Sequence, residues 1–379
     1  MSHVSFPRPD SVSTWLALDV HKLSIVAGVL SGDAIDPEVV QFENTERAVR
    51  RLIAKVGGPE GLAVCYEAGP CGYDLLRLLE SMGVACWVIA PSLTPVRPGD
   101  RVKTDRRDAR KLVRLFRAGE LTFVNPPSPE QEGLRDLVRC REDLRRARQN
   151  ARHRVAKQLL RHGRIYREGS GWTKAHMAWV HRQRLDDPLA HRALEHMLTH
   201  LEGLDAQLAA IAHEMDQIAC QQPWQESVAV LCCFRGVATH TALGLLAEIG
   251  DFRRFATARE LMSFLGLTPS EYSSGQQRHR GAITKTGNQH ARRLVVEAAW
   301  HYRHPPRHSL RTQRAAHHAG VQQATRAWQA QIRLHHRHQT LAHHGKRSTV
   351  ANVAVARELV GFLWAAMTDQ PPRQEASAA

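Results

Sequence analysis

The stretch "TWLALDVHKLSIVAGVLSGD", residues 14–33, decides the fold. Its first half is an apolar strand that ends in a carboxylate, Asp19. Its second half is another apolar, β-branched run closed by Ser31-Gly32-Asp33. Working outward, "EVVQFEN" (38–44) gives a third strand, and "TERAVRRLIAKVGG" (45–58) a helix with Thr45 at its cap and glycines at its stop. "GLAVCYEAGP" (61–70) is a fourth strand, again ending in an acid, Glu67. "CGYDLLRLLESMG" reads as a helix, "VACWVIAPS" as a strand and "KTDRRDARKLVRLFRAGE" (103–120) as a helix. Three opening strands followed by alternating helix and strand is the order of an RNase H-like domain. The fold class is thus α/β plus α, with the α/β part over 14–125.

The acids of that domain carry the chemistry. Asp19 and Glu67 end the first and fourth strands, which are neighbours in such a sheet. Asp105 and Asp108 stand three apart at the start of a helix and project from one face. An ionised group beside a strand core is costly unless it is coordinated. Taken singly, Asp105 fits a helix cap and Asp108 an arginine partner. Together, four converging carboxylates call for cations, and oxygen ligands select Mg²⁺, with Mn²⁺ as the alternative. Two such ions can clamp a phosphodiester.

Charge names the partner. Lys and Arg number 52 against 37 acids, a net charge of +15 and a pI near 10.1, which point to nucleic acid before membrane. The start, "MSHVSFPRPDSVSTW", has no apolar secretory core, and no run is expected to span a membrane. Seven cysteines without C-x-x-C spacing, with Cys232-Cys233 as core residues, fit a reducing, bacterial cytoplasmic setting beside the nucleoid. The 23 histidines include a cluster at His335, His336, His338, His343 and His344, but no zinc frame surrounds it.

After the linker "NPPSPEQ" an Arg-laden helix runs from Leu134 to about His162, with Arg139 and Arg146 among its candidate nucleic-acid contacts. A second helix carries Leu194, Met197, Leu201, Leu204, Leu208, Ile211, Met215 and Ile218 at alternating three and four. That heptad seam makes 126–222 a coiled-coil arm, either closed within one chain or also joining copies. A mostly helical third domain follows over 223–368, with a disordered tail at 369–379. In it, "FRGVATHTALGLLAEIGDFRRF" resembles a helix-hairpin-helix, its Gly236 turn able to offer N–H groups to a phosphate. Next comes the basic, glycine-rich "SEYSSGQQRHRGAITKTGNQHARR" (270–293), in which Arg278, Arg280 and Lys285 suit phosphate oxygens.

The order D…E…D-x-x-D, the arm, and "FLGLTPSEYSSGQQRHRGAITKTGN" with "ARR" resemble the insertion-sequence one-ten family of transposases, the DEDD-type serine recombinases. The resemblance covers about 14–125 and 226–300, and "GKRSTVANVAVARELVGFLWAAM" is similar to the family's closing helix. It implies a RuvC-like domain with Asp19, Glu67, Asp105 and Asp108 as Mg²⁺ ligands. It places the nucleophile at Ser274, the serine before Gly275, with a covalent phosphoserine link to DNA. It further implies donor and target DNA as partners, a structured guide (bridge) RNA, and a homo-oligomer, dimer or tetramer, in which one subunit's acids meet another's serine. A junction nuclease using water, and a non-catalytic nucleic-acid binder, are the competing readings.

Overall fold

In the computed structural model the chain divides into two compact units, Met1–Pro127 and Ser128–Ala379. The described residues are 11–95, 104–271 and 280–369.

In the first unit, β1 (Thr14–Val20), β2 (Ser24–Ser31), β3 (Glu38–Glu43), β4 (Leu62–Glu67) and β5 (Ala85–Ile89) form one sheet in the order β3-β2-β1-β4-β5. The first three strands run as an antiparallel meander, while β4 and β5 are parallel to β1 and to each other. This is compatible with an RNase H-like arrangement. Helices α1 (Glu46–Lys55), α2 (Asp74–Ser81) and α3 (Asp105–Arg117) cover the sheet. Thr45 does cap α1, accepting from the Ala48 N–H at 3.3 Å.

Strand alternation sorts the core into two layers. Leu16, Leu18, Val64 and Tyr66 point to one face, against Leu52, Ile53, Leu76 and Leu79 of α1 and α2. Trp15, Ala17, Ala63 and Cys65 point to the other, against Leu112, Val113 and Phe116 of α3. Gly28 sets how closely α3 approaches: a Cβ there would lie 2.5 Å from the carbonyl oxygen of Ala109.

The second unit holds α4 (Pro129–Arg161), α5 (Lys174–Arg182), α6 (Pro188–Ala219), α7 (Gln225–Cys232), α8 (Thr239–Ile249) and α9 (Ala258–Phe264). A hairpin of β6 (Pro269–Glu271) and β7 (Arg280–Ile283) follows, then α10 (Gln289–Ala299), α11 (Leu310–Ala319), α12 (Val321–His343) and α13 (Ser348–Thr368). The long helices α4 and α6 pair within the chain. Arg148 reaches Asp205 and Gln158 reaches the Ala190 carbonyl, so the two run antiparallel. The buried line on α6 is Leu194, Leu198, Leu201, Leu204, Leu208, Ile211, Met215 and Ala219. It departs from the expected heptad seam at both ends, where Met197 yields to Leu198 and Ile218 to Ala219. A straight helix of 3.6 residues per turn drifts off a 3.5 repeat in that way.

One further expectation needs correcting. The helix α13 is long and apolar enough to cross a membrane by composition, contrary to the expectation that no run would be. It is nonetheless packed in protein, with Val355, Ala356, Leu359, Val360, Leu363 and Ala366 buried in the largest core together with Cys232 and Cys233. The expected turn between α7 and α8 forms around Gly236, at φ 88°, and the position is also closely packed. A Cβ there would lie 2.3 Å from the Ala298 carbonyl oxygen of α10.

Candidate active site and its family

Alternation along β1 places Asp19 on the Trp15/Ala17 face, the face covered by α3. The parallel register pairs Leu18 with Tyr66. Glu67 therefore follows beside Asp19, on the same face and at the same C-terminal edge. Helix α3 starts at that edge. Thr104 caps it, accepting from the Arg107 N–H at 3.4 Å, so Asp105 is free of the capping role. Asp105 and Asp108 fill the first turn, where carboxylates are favoured by the helix dipole.

Burial raises the pKa of Asp19, and the negative charges of Asp105 and Asp108 raise it further, while His21 opposes them. Those interactions place both α3 acids within electrostatic reach of Asp19. Glu67 accepts a hydrogen bond from the Thr94 hydroxyl at 3.2 Å. His21 bridges the two elements: its Nε2 is 3.4 Å from Asp19 Oδ2 and 3.5 Å from Asp105 Oδ2. Donor atoms of Asp19, His21 and Asp105 all lie within 4.8 Å of one another. Charge held this close and partly withdrawn from water fits a divalent ion.

The sequence reading passed over His21, Thr94 and Gly28. His21 had a signal, since it stands two residues after Asp19 in "DVHK". Gly28 had one too, as a glycine inside the β-branched run "IVAGVL".

The remaining candidates lie in the second unit. Ser274 and Arg278 fall outside the described residues, and Arg280 opens β7. Lys285 is exposed and holds a left-handed backbone, φ 57°, its N–H donating to the Gly266 carbonyl at 3.1 Å. The hairpin base is closely fitted. A Cβ at Gly266 or Gly287 would lie 2.1 Å from the backbone oxygen of Thr286 or Phe264. Asn288 caps α10 and donates to Glu248 Oε2 at 2.7 Å, and Arg139 donates to the same buried carboxylate at 2.9 and 3.1 Å. Arg146 likewise donates to Glu142 at 3.1 Å, alongside Arg145 and Arg293. Both arm arginines thus hold acids of their own unit, with 54% and 60% of their side chains still exposed to solvent. In the His-rich segment, His308 stacks on Trp328 and His335 meets the Tyr302 carbonyl at 3.0 Å.

A family model described as a transposase, the DEDD domain of IS110 elements, matches residues 16–163 and so contains the acid cluster. A second, described as "Transposase IS116/IS110/IS902 family", matches residues 228–317 and contains the hairpin. The chain is 42% identical to the putative transposase y4qE of Sinorhizobium fredii over 86% of its own length and 80% of that protein's. The chain belongs to the IS110 family of transposases. It is also 30% identical to the transposase for insertion sequence element IS1533 of Leptospira borgpetersenii, over 77% of this chain and 86% of that one. With the transposase for IS1111A of Coxiella burnetii it shares 25% identity over 69% of its length and 71% of the relative's. This transposase is an enzyme that acts on DNA, and its DEDD domain suggests a divalent metal ion.

Proposed function

We propose that this transposase cuts and rejoins DNA through Ser274, with Asp19, Glu67, Asp105 and Asp108 as the metal-holding acids. The observation that carries the reading is the gathering of Asp19, Asp105 and Asp108 at one edge of the sheet, where Asp19 is held partly out of water. A divalent ion bound there would act as a Lewis acid toward the scissile phosphate. The Ser274 hydroxyl gives up its proton as its oxygen bonds phosphorus. The P–O bond to the departing strand breaks, and the departing oxygen takes a proton. Because one phosphate ester replaces another, the link keeps the energy needed to rejoin DNA in the reverse step. Arg278, Arg280 and Lys285 hold the phosphate's non-bridging oxygens.

The division of labour follows the resemblance: a RuvC-like domain over 14–125, a coiled-coil arm over 126–222 and a serine-bearing domain over 223–368. Assembly as a dimer or tetramer lets acids and serine from different subunits share one phosphate. A structured guide RNA directs the enzyme, and the net charge of +15 supports a polyanion of that size. Mass spectrometry of trapped protein–DNA adducts tests the scheme. The expected adduct is a DNA-linked peptide modified at Ser274, absent from Ser274→Ala. Cleavage that survives in Ser274→Ala without an adduct would assign the attack to water. Asp19→Asn should lower cleavage by roughly two orders of magnitude or more, since an ion contributes several kcal/mol to such a transition state.

A further inference from the structure

We propose that His21 is itself a metal ligand, making the cluster a mixed nitrogen–oxygen site that favours Mn²⁺ over Mg²⁺. The inference rests on the reading of this cluster as a metal site. It starts from position. The backbone of His21 is held on both sides, its N–H donating to the Ser24 carbonyl at 2.9 Å and its carbonyl accepting from the Asn44 amide at 2.9 Å. That anchoring keeps the ring at the strand end, between a residue of β1 and a residue of α3.

The spacing then separates two roles. One imidazole Nε2 carries at most one hydrogen, which can point well at only one carboxylate at a time. Contacts of 3.4 and 3.5 Å to two carboxylates are long for hydrogen bonds. Neighbouring ligands of one ion, each bonded at about 2.0–2.2 Å, stand roughly 3 Å apart. The Asp19, His21 and Asp105 donors, all within 4.8 Å of one another, would draw together to share an ion. Glu67 and Asp108 supply further oxygens nearby. Carboxylate oxygens suit Mg²⁺ and Mn²⁺ alike, whereas an imidazole nitrogen is a softer donor than Mg²⁺ prefers, so His21 tips the choice between these two ions toward Mn²⁺.

The test uses the full-length protein with Mn²⁺ as the probe and electron spin echo envelope modulation as the readout. The wild type is expected to give nitrogen modulation on bound Mn²⁺. His21→Gln is expected to lose that modulation while still binding Mn²⁺, and to release it to Mg²⁺ more readily. Wild-type Mn²⁺ that depends on Asp19 yet shows no nitrogen modulation would overturn the role of His21 and leave the metal site standing. Modulation that persists in His21→Gln would assign the nitrogen to another histidine and overturn it as well. Asp19→Asn protein that binds Mn²⁺ as the wild type does would overturn the metal-site reading beneath it.

Discussion

Asp19 and Glu142 are both carboxylates withdrawn from water, and the chain treats them in opposite ways. Among the described residues, the groups that act on Asp19 are His21, Asp105 and Asp108, and its pKa is raised by burial and by the two acids against the pull of His21. Around Glu142 stand Arg145, Arg146 and Arg293. Burial alone would raise the Glu142 pKa, but hydrogen bonds from Arg145 and the charges of Arg293, Arg145 and Arg146 hold it down at about 2. Glu248 follows the same rule, lowered by Arg139 and Asn288 against its burial. An acid that holds a fold together is neutralised by the fold. An acid left in want of a cation reserves its charge for something that binds.

This contrast can be broken most sharply at Glu142. Its ordinary value is 4.5 and its folded value about 2, so its stabilisation is complete above about 4.5 and is lost as pH falls toward about 2. Glu142→Gln should cost on the order of 3 kcal/mol at neutral pH, the free-energy equivalent of that shift. Denaturant unfolding of both proteins across pH should show the gap shrinking through that window. A gap independent of pH would mean that the arginines do not hold this charge.

Glu248→Ala comes next. Removing one member of a fully buried pair costs about 3–5 kcal/mol, and solvent around Arg139 should reduce this to roughly 2 kcal/mol. Hydrogen exchange should quicken at the first turn of α10, because Asn288 loses its acceptor there. Unchanged exchange would show that Glu248 steadies the arm and not the hairpin base.

Gly28→Ala probes the acids through the backbone. The added methyl meets the Ala109 carbonyl and should cost about 1–3 kcal/mol as α3 is pushed off the sheet. Asp105 and Asp108 move with α3, so Mn²⁺ affinity measured by calorimetry should fall although no ligand is altered. Wild-type affinity in a destabilised Gly28→Ala protein would show that the site tolerates displacement of the helix.

The smallest effect has the opposite sign. The raised pKa of Asp19 means that its ionised form is disfavoured in the fold, a penalty present above the folded value and relieved as pH falls. Asp19→Asn should therefore stabilise the metal-free protein by less than about 1 kcal/mol at neutral pH. Thermal denaturation in a chelator would detect it, and a loss of stability would place Asp19 with Glu142 among the structural acids.

The sequence made the sheet legible because alternation and turn chemistry act locally. It placed Asp19, Glu67, Asp105 and Asp108 at element ends for the same reason. It did not expose that His21 faces Asp105, far away in sequence. His21 and Gly28 were flagged only by their local setting, and the reason for Gly28, the carbonyl of Ala109 pressing from another element, was not visible. The arm's seam was read correctly in its middle and slipped at the ends, where helix drift outruns a strict heptad. The turn at Gly236 was legible because its positive φ favours glycine, whereas the Ala298 carbonyl packed against it was not.

The fitted base of the β6–β7 hairpin acts as the peg of a short tether. Glu271 and Arg280 are partners across the hairpin, so the chain leaves and returns at one fixed place. Ser274 is the third residue beyond Glu271, and an extended chain advances at most about 3.3–3.6 Å per residue. The Cα of Ser274 therefore stays within roughly 11 Å of that of Glu271, whatever path the backbone takes. On the function proposed above, the phosphate that Ser274 attacks must be delivered into that small sphere, and the acids that assist must reach it there.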